Sequence, residues 1–164
     1  MNNQTLKKSW HVAHWPPLAW LETIIKAIAL AIAITAMLGA LSAGDFAWPG
    51  GLRLAQLIVQ TILALGLVAA IFDRIVEREI VAMIFVIFNN LGHWGMVVAL
   101  ASVSGPGSAL ALFALLMLLG DLVKLAFLKA HDFTVRDTPR AVLYGLTLFY
   151  MAGYALLLLL ELLH

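Results

Sequence analysis

Apolar residues run along this chain in long blocks, and charged residues interrupt them only at intervals. Residues 27–44, 54–72, 80–120 and 141–160 contain no Asp, Glu, Lys or Arg. A membrane-crossing helix needs about 20 predominantly apolar residues, and the 80–120 run is long enough for two. Ser104-Gly105-Pro106-Gly107 divides it, a turn signal that includes a helix breaker. The pattern predicts five spans, over residues 18–43, 54–75, 79–103, 108–129 and 140–163. Backbone groups in hydrocarbon find no water, so each span is expected to be a helix. The expected class is an all-α integral membrane protein. A bundle of five transmembrane helices (18–164) follows a short interfacial N-terminal segment (1–17).

Composition strengthens this reading. Of 164 residues, 63% are hydrophobic and 12% charged, against about 25% charged in a typical soluble domain. So small a globule leaves much of its surface exposed, so lipid is the solvent that fits. A net charge of +1 provides no basic field for nucleic acid. The chain has no cysteine, which excludes disulfides and thiolate metal sites. The first apolar block exceeds the roughly 7–15 residues of a signal-peptide core, so it is read as a retained span.

Charge then orients the bundle. With five spans, Lys7, Lys8, Arg74, Arg78, Lys129, Arg136 and Arg140 fall on one side, and Arg53 alone on the other. The positive-inside rule puts the N-terminus in the cytoplasm and the C-terminus outside a bacterial cytoplasmic membrane. In the leader, Leu6, Trp10 and Ala13 share a helical face, and Trp10, Trp15 and Trp20 suit the headgroup level. An interfacial helix ending at Pro16-Pro17 is expected there.

Four ionisable residues fall inside spans: Glu22 and Lys26 in the first, Asp121 and Lys124 in the fourth. Spacings of four and three put each pair on one helical face. Glu22 and Lys26 share their face with Ala29, Ala33, Ala36 and Ala40, the kind of small-residue stripe that lets helices approach closely. A four-charge cluster is expected, with Glu22 opposite Lys124 and Asp121 opposite Lys26. It reads either as a neutral structural clamp or as a proton or ion path. The balance of two acids and two bases favours the clamp.

In the fifth span, Tyr144, Thr147, Tyr154 and Glu161 follow one stripe. Its hydroxyls are expected to bond neighbouring helices, with lining of a polar cavity as the alternative. Glu161 is expected to be wetted at the outer surface.

The third span carries the stretch Phe88-Asn89-Asn90-Leu91-Gly92-His93-Trp94-Gly95. Gln56 and Gln60 in the second span are expected to meet Asn89, Asn90 and His93 in a midplane polar cluster. Three roles compete for it. The amides and imidazole can cross-bond helices, because unsatisfied polar groups in hydrocarbon are costly. His93 can be an axial ligand to a haem or chlorophyll-type macrocycle, with the flanking glycines leaving room. It can also relay protons or bind a substrate. No other histidine pairs with it: His11, His14 and His131 belong to the cytoplasmic side, and His164 is the last residue.

No Gly-rich phosphate loop, His-Glu-x-x-His or Gly-x-Ser-x-Gly motif occurs, so no catalytic residue is assigned. The leading expectation is a structural or accessory subunit of a larger membrane complex or homo-oligomer. Its partners would be lipids, other membrane subunits or its own copies. A small transporter or channel is the second expectation. A cofactor-binding redox or light-harvesting subunit, or an intramembrane enzyme, is the third.

Overall fold

A computed structural model describes residues 15–44, 50–76, 80–101, 107–131 and 139–163. Its helices are α1 (Pro17–Ala43), α2 (Gly51–Val76), α3 (Ile80–Ala101), α4 (Gly107–Ala130) and α5 (Arg140–Leu162). All five are long and apolar enough to cross a membrane. Most of the expected interfacial leader, the Ser104-Gly105-Pro106 turn and the loop over 132–138 lie outside the described residues.

The ends of α1 follow from local chemistry. Pro17 occupies the first helical position, where its fixed φ suits the helix and its missing N–H is no loss. Gly44 ends the helix at φ 65°, in the left-handed region, and its N–H bonds Ala40 O at 3.3 Å. Inside the helices, Thr23, Thr35 and Thr147 each donate their hydroxyl at 2.8 Å to the carbonyl four residues back. That bond satisfies a hydroxyl without help from water.

The helices close into a ring. α1 packs against α3 and α4, α2 against α3 and α5, and α4 against α5. The order around the ring is α1, α3, α2, α5, α4. α1 therefore lies between α3 and α4 and not beside its sequence neighbour α2.

Every helix contributes to one buried core. Ala29 and Ala33 come from α1, Leu63 from α2, Met96 and Ala99 from α3, Phe113 and Met117 from α4, and Tyr154 and Leu157 from α5. A second, smaller cluster of Ala19, Phe127 and Leu128 packs with Trp15, Leu143 and Tyr144 where α1 and α5 begin and α4 ends. The outward faces carry large apolar side chains, among them Ile28, Leu38, Ile58, Ile62, Leu148 and Leu159.

Glycines set the closest approaches. A β-carbon at Gly95 would lie 2.8 Å from the Ala33 carbonyl oxygen and 3.2 Å from Met37 Cβ. One at Gly92 would overlap the Leu30 side chain. These two α3 glycines therefore seat α1. On the other side of the ring, Gly153 of α5 receives Leu63 and Gly66 of α2 receives the Tyr150 hydroxyl.

Gly95→Ala should cost about 1–3 kcal/mol, because the obstacle is α1 backbone and the two helices must separate. Gly145→Ala is the control, since nothing lies within 4 Å of its added carbon. Thermal denaturation in one detergent should show a lowered midpoint for the first and an unchanged or raised one for the second. Equal midpoints would contradict the close crossing.

Candidate functional site

The charged cluster is built on one lysine. Glu22 and Lys26 are a turn apart on α1, and Lys26 Nζ bonds Glu22 Oε1 at 2.8 Å. The same ammonium reaches α4 and bonds Asp121 Oδ1 at 2.5 Å. Its path crosses Gly120, where a β-carbon would come within 2.8 Å of Lys26 Cγ. Gly120 is thus the notch through which α1 reaches Asp121. The Asp121 side chain is 3% exposed, so its charge depends on this partner. Of the two expected pairings, Asp121 with Lys26 is present, while Glu22, expected opposite Lys124, bonds that same Lys26. Lys124 lines a cleft in common with Glu22 and Lys26.

In the middle of the ring, His93, Phe113 and Tyr154 meet and are buried. The His93 and Tyr154 rings stack with centroids 5.7 Å apart, and Phe113 presents itself edge-on to both. Tyr154 Oη lies 2.7 Å from His93 Nε2. If Tyr154 donates, the one group of this pair left without a partner is the His93 Nδ1 proton. The reverse tautomer would leave the tyrosine proton and the Nδ1 lone pair both unmatched, so Tyr154 is the donor.

The expected midplane cluster of Gln56, Gln60, Asn89, Asn90 and His93 is not formed as one group. Asn90 donates to Val86 O of its own helix at 3.1 Å, and its Oδ1 is buried without a partner among the described residues. Asn89 lines the cleft. Gln56 donates to Glu161 at 2.8 Å. Gln60 is buried, and neither its Oε1 nor its Nε2 has a partner among the described residues.

Register explains this distribution. Gly66 meets Tyr150, Leu63 meets Gly153 and Gln56 meets Glu161 along the antiparallel α2–α5 pair. Gln60 therefore falls at the level of apolar Leu157. The flanking glycines do not open room for a flat macrocycle either, because α1 fills the space at Gly92 and Gly95.

The fifth-helix stripe also separates by function. Tyr144 packs against the smaller apolar cluster. Thr147 bonds Leu143 O of its own helix, not a neighbour. Glu161, expected to be wet, has a side chain only 12% exposed. It accepts from Arg53 Nη1 at 3.1 Å as well as from Gln56. Arg53 Nη1 also lies 3.3 Å from Gln56 Oε1. Sequence reasoning used Arg53 only as the lone cation on its side. Its place in the first turn of α2, level with the last turn of α5, was the available signal.

A half-open cleft of about 570 Å³ lies between α1 and α3, with walls from α2 and α4. Its polar lining is Glu22, Lys26, Lys124, Asn89 and Thr23, and its apolar lining includes Leu30, Ile34, Phe85, Phe88 and Phe127. Trp15 stands at its rim, with its ring 5.5 Å from those of both Trp20 and Phe85. Sequence reasoning missed the cleft, because it depends on how far α1 and α3 separate above their glycine contact. Among the described residues, no group of three His, Asp or Glu is placed to hold a metal ion.

Comparison with protein-family models, curated proteins and solved structures finds no match to this chain.

Tyr154→Phe keeps the ring and removes the hydrogen bond to His93 Nε2. It should destabilise the protein by about 0.5–2 kcal/mol. The double variant Tyr154→Phe with His93→Phe should be no worse than the single change, since it removes the orphaned imidazole as well. Melting curves in detergent test this, and an unchanged Tyr154→Phe midpoint would show that the bond carries no stability.

Proposed function

We propose that this chain is an integral protein of a bacterial-type cytoplasmic membrane, with its N-terminus cytoplasmic and its C-terminus outside. It acts there as a structural or accessory subunit of a larger assembly, or of its own oligomer. One observation carries this reading: three sets of interior polar groups close on each other across helices. Lys26 joins two acids on α1 and α4, Glu161 joins Arg53 and Gln56, and His93 joins Tyr154. Groups spent on one another hold helices in register and leave little charge for a transported ion to exchange with. The apolar outward faces supply the surface that meets lipid and neighbouring subunits.

A specific observation favours a second reading, a small transporter or channel. Gln60, Asn90 Oδ1, His93 Nδ1 and Asp121 Oδ2 are buried without partners among the described residues. Such groups are costly in an apolar interior, and ordered water is their usual remedy. Waters linking them would give a path through the ring.

Liposomes containing this chain alone discriminate the two. Proton and monovalent-cation leak should equal that of empty liposomes, while a native mass spectrum of protein released gently from its host membrane should show it with other subunits or with copies of itself. Flux above the empty control, carried by a protein that travels as a monomer, would overturn the subunit reading in favour of transport.

A further inference from the structure

We propose that the cleft between α1 and α3 is a binding site for an uncharged quinone with an apolar tail, taken up from the membrane. This goes beyond the subunit reading and rests only on the placement of the bundle in a membrane, so either can fail without the other.

The polar groups of the lining are already spent, with one exception. Glu22 Oε1 and Asp121 Oδ1 both hold the Lys26 ammonium. Thr23 donates its hydroxyl to Ala19 O, and Lys124 is not without a partner. Glu22, Lys26, Asp121 and Lys124 are two acids and two bases, and their charges cancel. A charged headgroup therefore finds no unmatched countercharge here. Asn89 is the exception: it lines the cleft from α3, and no described residue hydrogen-bonds its amide. An amide without a partner is costly in hydrocarbon. The occupant that fits is uncharged and brings a hydrogen-bonding group to Asn89.

The walls select which uncharged group. α1 and α3 run in the same direction, because Gly92 meets Leu30 and Gly95 meets Ala33. Asn89, just before Gly92, is therefore level with Ala27. Toward the start of both helices the walls are aromatic. Phe85 lies a turn before Asn89, and the Trp15 ring is 5.5 Å from it. Phe127 joins them from α4, packed with Ala19. In the other direction the α1 wall is aliphatic, with Leu30, Ala31 and Ile34. Flat rings pack on aromatic side chains in stacked or edge-on contacts, and a flexible apolar chain suits the aliphatic wall. A quinone has these parts in this order. Its ring lies between Phe85 and Phe127, a ring carbonyl accepts from Asn89 Nδ2, and its tail follows Leu30 and Ile34 toward the middle of the span.

Size and access agree with such a ligand. About 570 Å³ is within the range of small-molecule sites, about 300–1,000 Å³. Phe88 is 52% exposed, so the site is reached sideways from the membrane.

The test is a native mass spectrum of the full chain in detergent, titrated with decylubiquinone, with decylbenzene, which has a ring and the tail but no carbonyl, and with phosphatidylglycerol. One decylubiquinone should be retained saturably and in preference to the other two. Asn89→Leu should weaken that retention about fivefold, the weight of one neutral hydrogen bond. Its melting midpoint should not fall, because the amide has no bond within the described chain to lose. Ala31→Trp fills the cleft from an exposed position and should abolish retention. Equal retention of decylubiquinone and decylbenzene, or quinone retention that survives both variants, would overturn the site. Preference for phosphatidylglycerol would overturn the quinone assignment. A dimer that Asn89→Leu dissociates, with quinone retention unchanged, would also overturn it, by assigning the amide to a second copy of this chain.

Discussion

A lysine ammonium drawn into an apolar bundle loses most of its solvation, and this constraint organises one end of the molecule. Lys26 meets it by bonding a carboxylate on its own helix and another on α4. Asp121 would not tolerate its site alone, because a buried charge without a partner costs on the order of several kcal/mol even after relaxation. The three groups therefore require α1 and α4 to lie side by side, at one rotation and one depth. Gly120 makes the arrangement geometrically possible by leaving the lysine stem room to pass.

The remainder of the ring is fixed by complementary means. Gly92 and Gly95 bring α3 against the alanine side of α1, where Ala29 and Ala33 are fully buried. Gly66 and Gly153 do the same for α2 and α5. Polar bonds then lock rotation: His93 with Tyr154 across the middle, and Glu161 with Arg53 and Gln56 at the far end. Apolar packing tolerates rotation about a helix axis better than a directional bond does. The few polar residues therefore specify the arrangement, while the small residues permit it. Where α1 and α3 separate beyond their glycine contact, the bundle leaves a cleft, and the charged end of α1 lies along it.

Much of this was legible in the sequence, for physical reasons that differ from residue to residue. The uncharged blocks predict five helices because helix length follows from apolar length. That Glu22 and Lys26 share a face was readable because a four-residue spacing is enforced by the helix itself, but Glu22 was expected opposite Lys124 and bonds Lys26. Asp121 with Lys26 followed from matching depth. The surroundings of Gln56 and Gln60 were not legible, because they depend on the α2–α5 register, which glycine contacts set. A shift of one turn would have given Gln60 the carboxylate that Gln56 has. The role of Gly92 and Gly95 was ambiguous for a related reason: a glycine admits a macrocycle or a neighbouring helix equally well, and only packing shows that α1 is there.

The most direct test of this account is a double-mutant cycle at Lys26 and Asp121, read as unfolding free energy in one detergent or bicelle. Lys26→Met and Asp121→Leu should each cost about 3–5 kcal/mol, since each leaves a buried charge with a lost partner. The double variant should cost far less than their sum, because it removes both ends of that pair. Additive losses would contradict the claim that this ion pair joins α1 to α4.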